Sequence, residues 1–460
     1  MKKPDNKPDT LCLAPWIHTY LSPQTERRMC CASREPAQNF KQYIDTHTGD
    51  GLYNPLTLEE HWNSEHMKSV RKRMMAGEEL SECDVCNNKL LNTDVYRSYF
   101  WNMFKQHYDN IWDHTDDDGH TYMNPVSWDY RFSNLCNFKC RMCGGMLSSS
   151  WESEERKHDM IDWTNPANNW MQKDVRGQIS KFQDTQVEKE FSDAVEENRI
   201  EEVYWVGGEP LMFEQHWKYM KRIIDLGNGH MVYARYNTNL SQIEYKGTHL
   251  YKDILPHIRD WQICASIDGT GEVGEYIRTG LKWHTFLDNF KQGLAIANNP
   301  RQMRLDFTLT LPGLFELKNM FNLSKSLNTT LLAKVTFAFG PNILMSPLAL
   351  AKVTFAFGPN ILMSPLALPK SILHRIVNDF LEYANKEGYD QNQQPLVDVM
   401  TNILSRPTFE EEWPSDYEQG AIDGKARILK VENVRLASCT LEDILQSEDA
   451  EAYEWYKAIS

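Results

Sequence analysis

Asn134-Leu-Cys-Asn-Phe-Lys-Cys-Arg-Met-Cys143 carries three cysteines, Cys136, Cys140 and Cys143, in a C-x3-C-x2-C run. Three thiolates on one short loop can cap three corners of a cubic iron–sulfur cluster, whereas a fully ligated four-iron cluster takes four cysteines. The fourth iron would lack a local cysteine and could take a small molecule, which is the logic of a reactive rather than a structural metal centre. A zinc site usually recruits a fourth Cys or His nearby in C-x2-C pairs. The nearest downstream histidine, His158, lies beyond a predicted helix. The spacing therefore favours an open cluster over zinc. Residues 126–134 read as a strand entering this loop, and residues 144–158 as a helix leaving it.

The same strand–loop–helix unit then repeats. Strands are expected at 203–206, 231–236, 261–267 and 303–311, with a sixth at 335–339, and helices marked by Trp217, Met220, Ile224 and by Leu317, Phe321, Leu327 lie between them. Alternation of this kind argues for a parallel sheet. Val203-Tyr-Trp-Val-Gly-Gly-Glu-Pro210 is an apolar strand running into Gly207, Gly208 and Glu209. The glycines let backbone approach a ligand closely, and the carboxylate can accept hydrogen bonds from an ammonium group. Polar residues also close the later strands: Thr238 and Asn239, then Ser266 and Asp268, then Arg278 in Tyr276-Ile-Arg-Thr-Gly280. The plain alternative for each is an ordinary strand-end turn or helix cap.

Four more cysteines gather upstream. Cys12-Leu-Ala-Pro-Trp-Ile-His-Thr-Tyr20 reads as a strand, 22–25 as a turn, and Arg27-Arg-Met-Cys-Cys31 as a returning strand. Thr57-Leu-Glu-Glu60 fits a capping box that opens a helix, Gly77 suits the helix end, and Cys83-Asp-Val-Cys86 follows. Cys12, one of Cys30 or Cys31, Cys83 and Cys86 could close a zinc site or a cluster equally well. Neighbouring strand residues face opposite ways, so only one of the adjacent pair can point inward; Cys31 is favoured. Cys264 and Cys439 read as structural thiols.

The cysteine loop and the Gly-Gly-Glu strand end together resemble the radical S-adenosylmethionine (radical SAM) enzymes. That resemblance implies a partial (βα)6 TIM-like barrel over residues 125–340. It implies a catalytic 4Fe-4S cluster on Cys136, Cys140 and Cys143, whose open iron chelates the amino and carboxylate groups of S-adenosyl-L-methionine. Gly207, Gly208 and Glu209 would seat the amino group, Arg278 the methionine carboxylate, Thr238 and Asn239 the ribose or carboxylate, and Ser266 and Asp268 the ribose hydroxyls. Reductive cleavage would give a 5′-deoxyadenosyl radical that takes hydrogen from a substrate. Met142 stands where that family most often has an aromatic residue. Residues 11–90 resemble a twitch module, the shortened SPASM domain, with an auxiliary 4Fe-4S cluster on Cys12, Cys31, Cys83 and Cys86. Here it precedes the barrel instead of following it, and the glycine common in its hairpin turn is replaced around Gln24-Thr25-Glu26. The resemblance further implies a peptide or protein substrate and an electron donor such as flavodoxin or ferredoxin. A small metabolite or sugar substrate is the alternative within the same chemistry, and a zinc-stabilised scaffold without catalysis the alternative outside it.

The remainder sets limits. The chain has 460 residues, 41% hydrophobic and 25% charged, with a net charge of −15. That balance reads as globular and argues against a broad phosphate-binding surface for nucleic acid. No segment is long enough to span a membrane, and no apolar run follows the N-terminal lysines, so a cytoplasmic location is expected. Ten cysteines in a reducing compartment point to metal or redox chemistry rather than disulfides. Residues 91–124 form a bridge with aromatic residues at helical spacing, and residues 369–460 a mostly helical cap. Within 341–368 lies most of an exact repeat: residues 332–349 recur at 350–367. The two copies compete for one strand-six slot. The first is expected to fill it at 335–339, leaving the second as an extra edge strand or a looped excursion.

Overall fold

The computed structural model describes residues 3–33, 53–87, 95–164, 166–335 and 361–460. Its centre is an eight-stranded, mainly parallel sheet. The strands are β1 (His18–Leu21), β2 (Arg27–Arg28), β3 (Ser127–Tyr130), β4 (Glu202–Trp205), β5 (Tyr233–Thr238), β8 (Asp260–Ile267), β9 (Met303–Leu309) and β10 (Thr330–Val335). A separate small hairpin pairs β6 (Glu244–Tyr245) with β7 (Thr248–His249). The sheet order is β10-β9-β8-β5-β4-β3-β1-β2, so it is open, with β10 and β2 at its edges.

Strands β3, β4, β5, β8 and β9 fall close to their expected positions because their apolar residues alternate, whereas the β6–β7 hairpin was not expected. In β5 the side chains are half-buried and buried in turn from Tyr233 to Thr238. Trp128, Val203, Trp205, Ala234, Tyr236, Ile263, Ala265, Leu305 and Phe307 face the main core. Amphipathic helices cover that face, among them Glu188–Glu196, Glu214–Asp225 and Leu317–Leu327.

The N-terminal hairpin belongs to this same sheet. β1 runs parallel to β3, with His18 opposite Ser127 and Leu21 opposite Tyr130, while β2 returns antiparallel to β1. The segment expected to form a small metal-binding module therefore also extends the main sheet. It keeps its own small core, in which Trp16, Ile17 and Met29 pack with Met67, Val70 and Met74 of helix Glu65–Met75. The capping box at Thr57 and Glu60 is present.

Strand six begins earlier than expected. β10 pairs with β9 from Thr330 opposite Arg304 to Val335 opposite Leu309. The reason is that Leu331 and Ala333 already alternate inward as soon as Asn328, in left-handed conformation, has ended the preceding helix. The first repeat copy thus supplies the strand through 332–335; the rest of the expected strand, 336–339, lies outside the described residues. The strand part of the second copy, 353–357, lies outside the described residues, whereas its tail is no excursion. Ile361, Leu362, Met363, Leu366 and Ala367 of that copy are buried in the main core, where apolar side chains gain most. Ile361 crowds Gly424 of helix Tyr417–Arg435, whose Cβ position would fall 2.5 Å from it. Tyr417 donates to the Ala367 carbonyl at 2.5 Å. The C-terminal region is helical as expected, running through Lys370–Glu387, Gln394–Ile403, Tyr417–Arg435, Leu441–Glu448 and Ala450–Ala458. Among the described residues no helix is long and apolar enough to cross a membrane.

Candidate functional site

The cysteine loop leaves the C-terminal end of β3 and is held by its backbone. Ser149 and Ser150 Oγ donate to the Cys136 carbonyl at 3.3 and 2.8 Å, Ser148 Oγ to Phe138 at 2.6 Å, and Trp151 Nε1 to Cys140 at 2.7 Å. These four residues are the cap and first turn of helix Ser149–Lys157. On its other side the loop borrows strand-like pairing: Lys139 N donates to Thr279 and Arg141 N to Ile277, both at 2.8 Å. Arg435, at the end of a helix almost three hundred residues away in sequence, closes the assembly. It pairs with Glu154 at 2.7 Å and donates to the Lys139 carbonyl at 2.9 Å. Arg435, Glu154 and the serine run were not singled out from the sequence. The serines had a legible signal as an N-cap cluster, whereas Arg435 had none.

The Gly-Gly-Glu strand end packs directly on this loop. Glu209 N donates to the Leu135 carbonyl at 2.7 Å. A Cβ on Gly208, which has φ +50°, would fall 2.3 Å from that carbonyl oxygen. A Cβ on Gly207, with φ +84°, would fall 2.6 Å from Arg131 Cβ. Both positions thus need glycine for conformation and for space. The close approach expected toward a ligand is, within the chain, an approach to the cysteine loop.

Glu209 is buried and accepts from Thr238 Oγ1 at 2.6 Å, Asn239 N at 2.6 Å and Leu211 N at 3.1 Å. Burial outweighs these donors and pushes its carboxyl up to about 7. Asn239 Nδ2 donates to Asn137 Oδ1 at 2.9 Å and stands 3.9 Å from Cys136 Sγ. The ends of β3, β4 and β5 therefore meet at one place, as expected.

Two other assignments change. Arg278 does not offer a free fork: its Nε lies 2.7 Å from Asp268 Oδ2, and its Nη2 donates to Oδ1 at 3.0 Å. Its remaining Nη1 points at Cys140 Sγ, 3.8 Å away. Asp268 is fully buried; its Oδ1 also accepts from Thr308 N at 2.9 Å, while its Oδ2 faces Arg278 Nε and, among the described residues, accepts no hydrogen bond. The reason is that a buried carboxylate needs its counter-charge at hand, and Arg278 is the guanidinium in reach. Ser266 is half-buried on the opposite face of β8 from the core residues.

Burial pushes all three loop thiols upward, Cys143 to about 12, with each thiol also raised by its neighbours or by nearby carboxylates. Arg278 opposes that rise at Cys140. Thiols in this state must shed protons to ligate a metal, and the donors at 3.8 and 3.9 Å favour the thiolate. This donor set fits a cluster. Among the described residues no group of three or more His, Cys, Asp or Glu side chains is placed so as to hold a metal ion.

The second cysteine group also converges, with one substitution. A pocket is lined by Cys12, Cys30, Cys83 and Cys86, together with Tyr96 and Arg97. Cys30 takes the position expected for Cys31. The Cys30 thiol is raised first by burial and then by Cys31, Cys12 and Cys83. Cys31 instead faces Asp129, Arg131, Arg235 and Tyr96. Strand alternation was the wrong guide here, since β2 ends at Arg28 and Cys30 opens a turn closed by Ser33 N donating back to its carbonyl at 3.2 Å. No family model and no curated protein matches this chain.

Proposed function

We propose that the chain is a radical S-adenosylmethionine enzyme. In this reading β3, β4, β5, β8, β9 and β10 form a partial barrel, with a catalytic 4Fe-4S cluster on Cys136, Cys140 and Cys143. An auxiliary cluster sits on Cys12, Cys30, Cys83 and Cys86. The observation that carries the reading is the junction of the cysteine loop with the Gly-Gly-Glu strand end, made by Glu209 N to the Leu135 carbonyl at 2.7 Å and by a glycine that no other residue can replace. When bound, the cluster and S-adenosylmethionine supply one-electron cleavage of a sulfonium and hydrogen abstraction from a substrate.

The chain's own residues would bind and orient. A carboxylate offers about four acceptor positions, and Glu209 uses three on protein donors, which leaves one for the methionine ammonium. Thr238 and the Asn239 amide fix the carboxylate that receives it. Arg278, paired to Asp268, sets the charge beside Cys140 rather than gripping the methionine carboxylate. Arg435 and Trp151 hold the loop backbone and cover it from water. A peptide or protein substrate and a flavodoxin- or ferredoxin-type electron donor are part of the same proposal.

Anaerobic reconstitution with iron and sulfide, followed by metal counting and assay for 5′-deoxyadenosine in the presence of a reductant, tests it. Two clusters and cofactor cleavage are expected. Stoichiometric zinc without iron, and no cleavage, would replace this reading with that of a metal-stabilised scaffold.

A further inference from the structure

The sheet has a second face whose side chains are largely polar. Asp129 on β3, Glu202 and Tyr204 on β4, Arg235 on β5, Cys264 on β8, and Arg304 and Asp306 on β9 alternate with the core residues of the same strands. Two of its guanidinium groups have their forks filled. Arg131 Nε and Nη2 donate to Asp129 at 3.1 and 3.2 Å, and Arg304 donates likewise to Asp306 at 2.6 and 3.3 Å.

Arg235, between them, does not. Its guanidinium lies 3.7 Å from the ring centre of Tyr204 and 4.5 Å from that of Tyr99. Among the described residues it makes no hydrogen bond, and its Nε is buried without an acceptor. The nearest carboxylate oxygen, Glu202 Oε1, is 3.7 Å away. That carboxylate is already engaged by the Tyr99 hydroxyl on one oxygen and by Ser127 Oγ at 2.5 Å on the other. A guanidinium carries five N–H donors in a planar fork. Here the plane is fixed by aromatic faces while the edge is unspent, which is the preorganised form of an oxyanion receptor. Nε is enclosed, whereas Nη1 and Nη2 are not among the enclosed unpartnered atoms and the side chain as a whole keeps about a fifth of its surface exposed (21%), so the end that remains reachable is the terminal Nη pair.

The charge balance selects the kind of anion. Among the described residues, Arg131, Arg235, Arg304 and the more exposed Lys334 share this face with three carboxylates, those of Asp129, Glu202 and Asp306, while Arg28 and Glu26 at its edge pair with each other. The single excess positive charge suits a monoanion, and the nearby carboxylates would repel a dianionic phosphate. Arg131 also borders the Gly207 position, so the face adjoins the Gly-Gly-Glu strand end. We propose that Arg235 anchors a carboxylate-binding site on this face and that the carboxylate belongs to the substrate. Assignment of the bound group as substrate rests on the proposed function; the binding itself does not.

Calorimetric titration of the full, anaerobically reconstituted chain tests this. The probes are propionate, a capped Gly-Glu-Gly tripeptide, their neutral amide counterparts (propionamide and capped Gly-Gln-Gly), and inorganic phosphate. Saturable binding of a carboxylate probe is expected, with its amide at least tenfold weaker. Arg235→Gln should weaken it at least tenfold, and Arg235→Lys, which keeps the charge but loses the fork, by less. Binding of the tripeptide alone assigns the carboxylate to a peptide, and binding of propionate alone to a small acid. The proposal is overturned if no carboxylate probe saturates, if amides or phosphate bind as well, or if Arg235→Lys with an unchanged near-ultraviolet spectrum binds like the parent. Iron content is measured on the same samples. An iron-free chain that still binds carboxylate would remove the radical-enzyme reading and leave this site standing.

Discussion

Cys136, Cys140 and Cys143 share one loop, whereas Cys12, Cys30, Cys83 and Cys86 come from three segments that meet only after β1 has joined β3 and helix Glu65–Met75 has packed beneath it. The loop owes its shape to groups on every side: serine hydroxyls, Trp151, Leu135 against Gly208, and Arg435. The N-terminal pocket owes its shape to a short hairpin, a turn and a brief helix at Asp84–Asn87. The first group should therefore tolerate loss of metal while keeping its backbone, and the second should depend on its metal to stay folded.

Removing iron by chelation should therefore have the largest effect on the N-terminal side. Hydrogen exchange is expected to rise around 12–31 and 81–87 while 134–151 stays protected; equal loosening of both would break the contrast. Next, Gly208→Ala should dislodge the cysteine loop, because the new Cβ meets backbone at 2.3 Å and its φ of +50° disfavours any side chain. A cost of about 1–3 kcal/mol is expected from such strain. Loss of the loop cluster's spectroscopic signal with the other retained is the check.

Arg278→Met should cost about 3–5 kcal/mol, since it leaves the buried Asp268 without its counter-charge. Thermal unfolding of the metal-free chain reads this directly. A change no larger than that of an exposed pair would mean that Asp268 finds another partner. Finer still is the adjacent pair: Cys30→Ala should remove the iron of the N-terminal pocket, and Cys31→Ala should leave it in place. The smallest effect is expected from deleting residues 350–367. Because the copies are identical, the shortened chain retains one strand segment and one Ile-Leu-Met-Ser-Pro-Leu-Ala tail, the two pieces seen packed at 332–335 and 361–367. Iron content and melting temperature should be little altered.

What could be read in the sequence follows the same division. The parallel strands β3, β4, β5, β8 and β9 and the cysteine loop are contiguous patterns, and local alternation or spacing is enough to locate them. The joining of β1 to β3 is a pairing across more than a hundred residues, which no local period records. Sequence favours Cys31 over Cys30 because the strand rule does not register a turn that displaces it by one residue. Arg278 and Asp268 were read as ligand contacts because a sequence cannot show that two strand-end polar groups neutralise each other. Arg235 had no motif at all; its setting between Tyr99 and Tyr204 exists only in the folded chain.

In the proposed function the cysteine loop at β3, joined to the Gly-Gly-Glu end of β4, is the reactive centre and the N-terminal pocket is its accessory. Electron paramagnetic resonance of the reduced, reconstituted Cys30→Ala and Cys140→Ala chains, with and without S-adenosylmethionine, tests it most directly. A cluster signal that shifts on adding the cofactor should persist in Cys30→Ala and be absent from Cys140→Ala. The reverse pattern, with a cofactor-sensitive signal in Cys140→Ala and none in Cys30→Ala, would contradict the account.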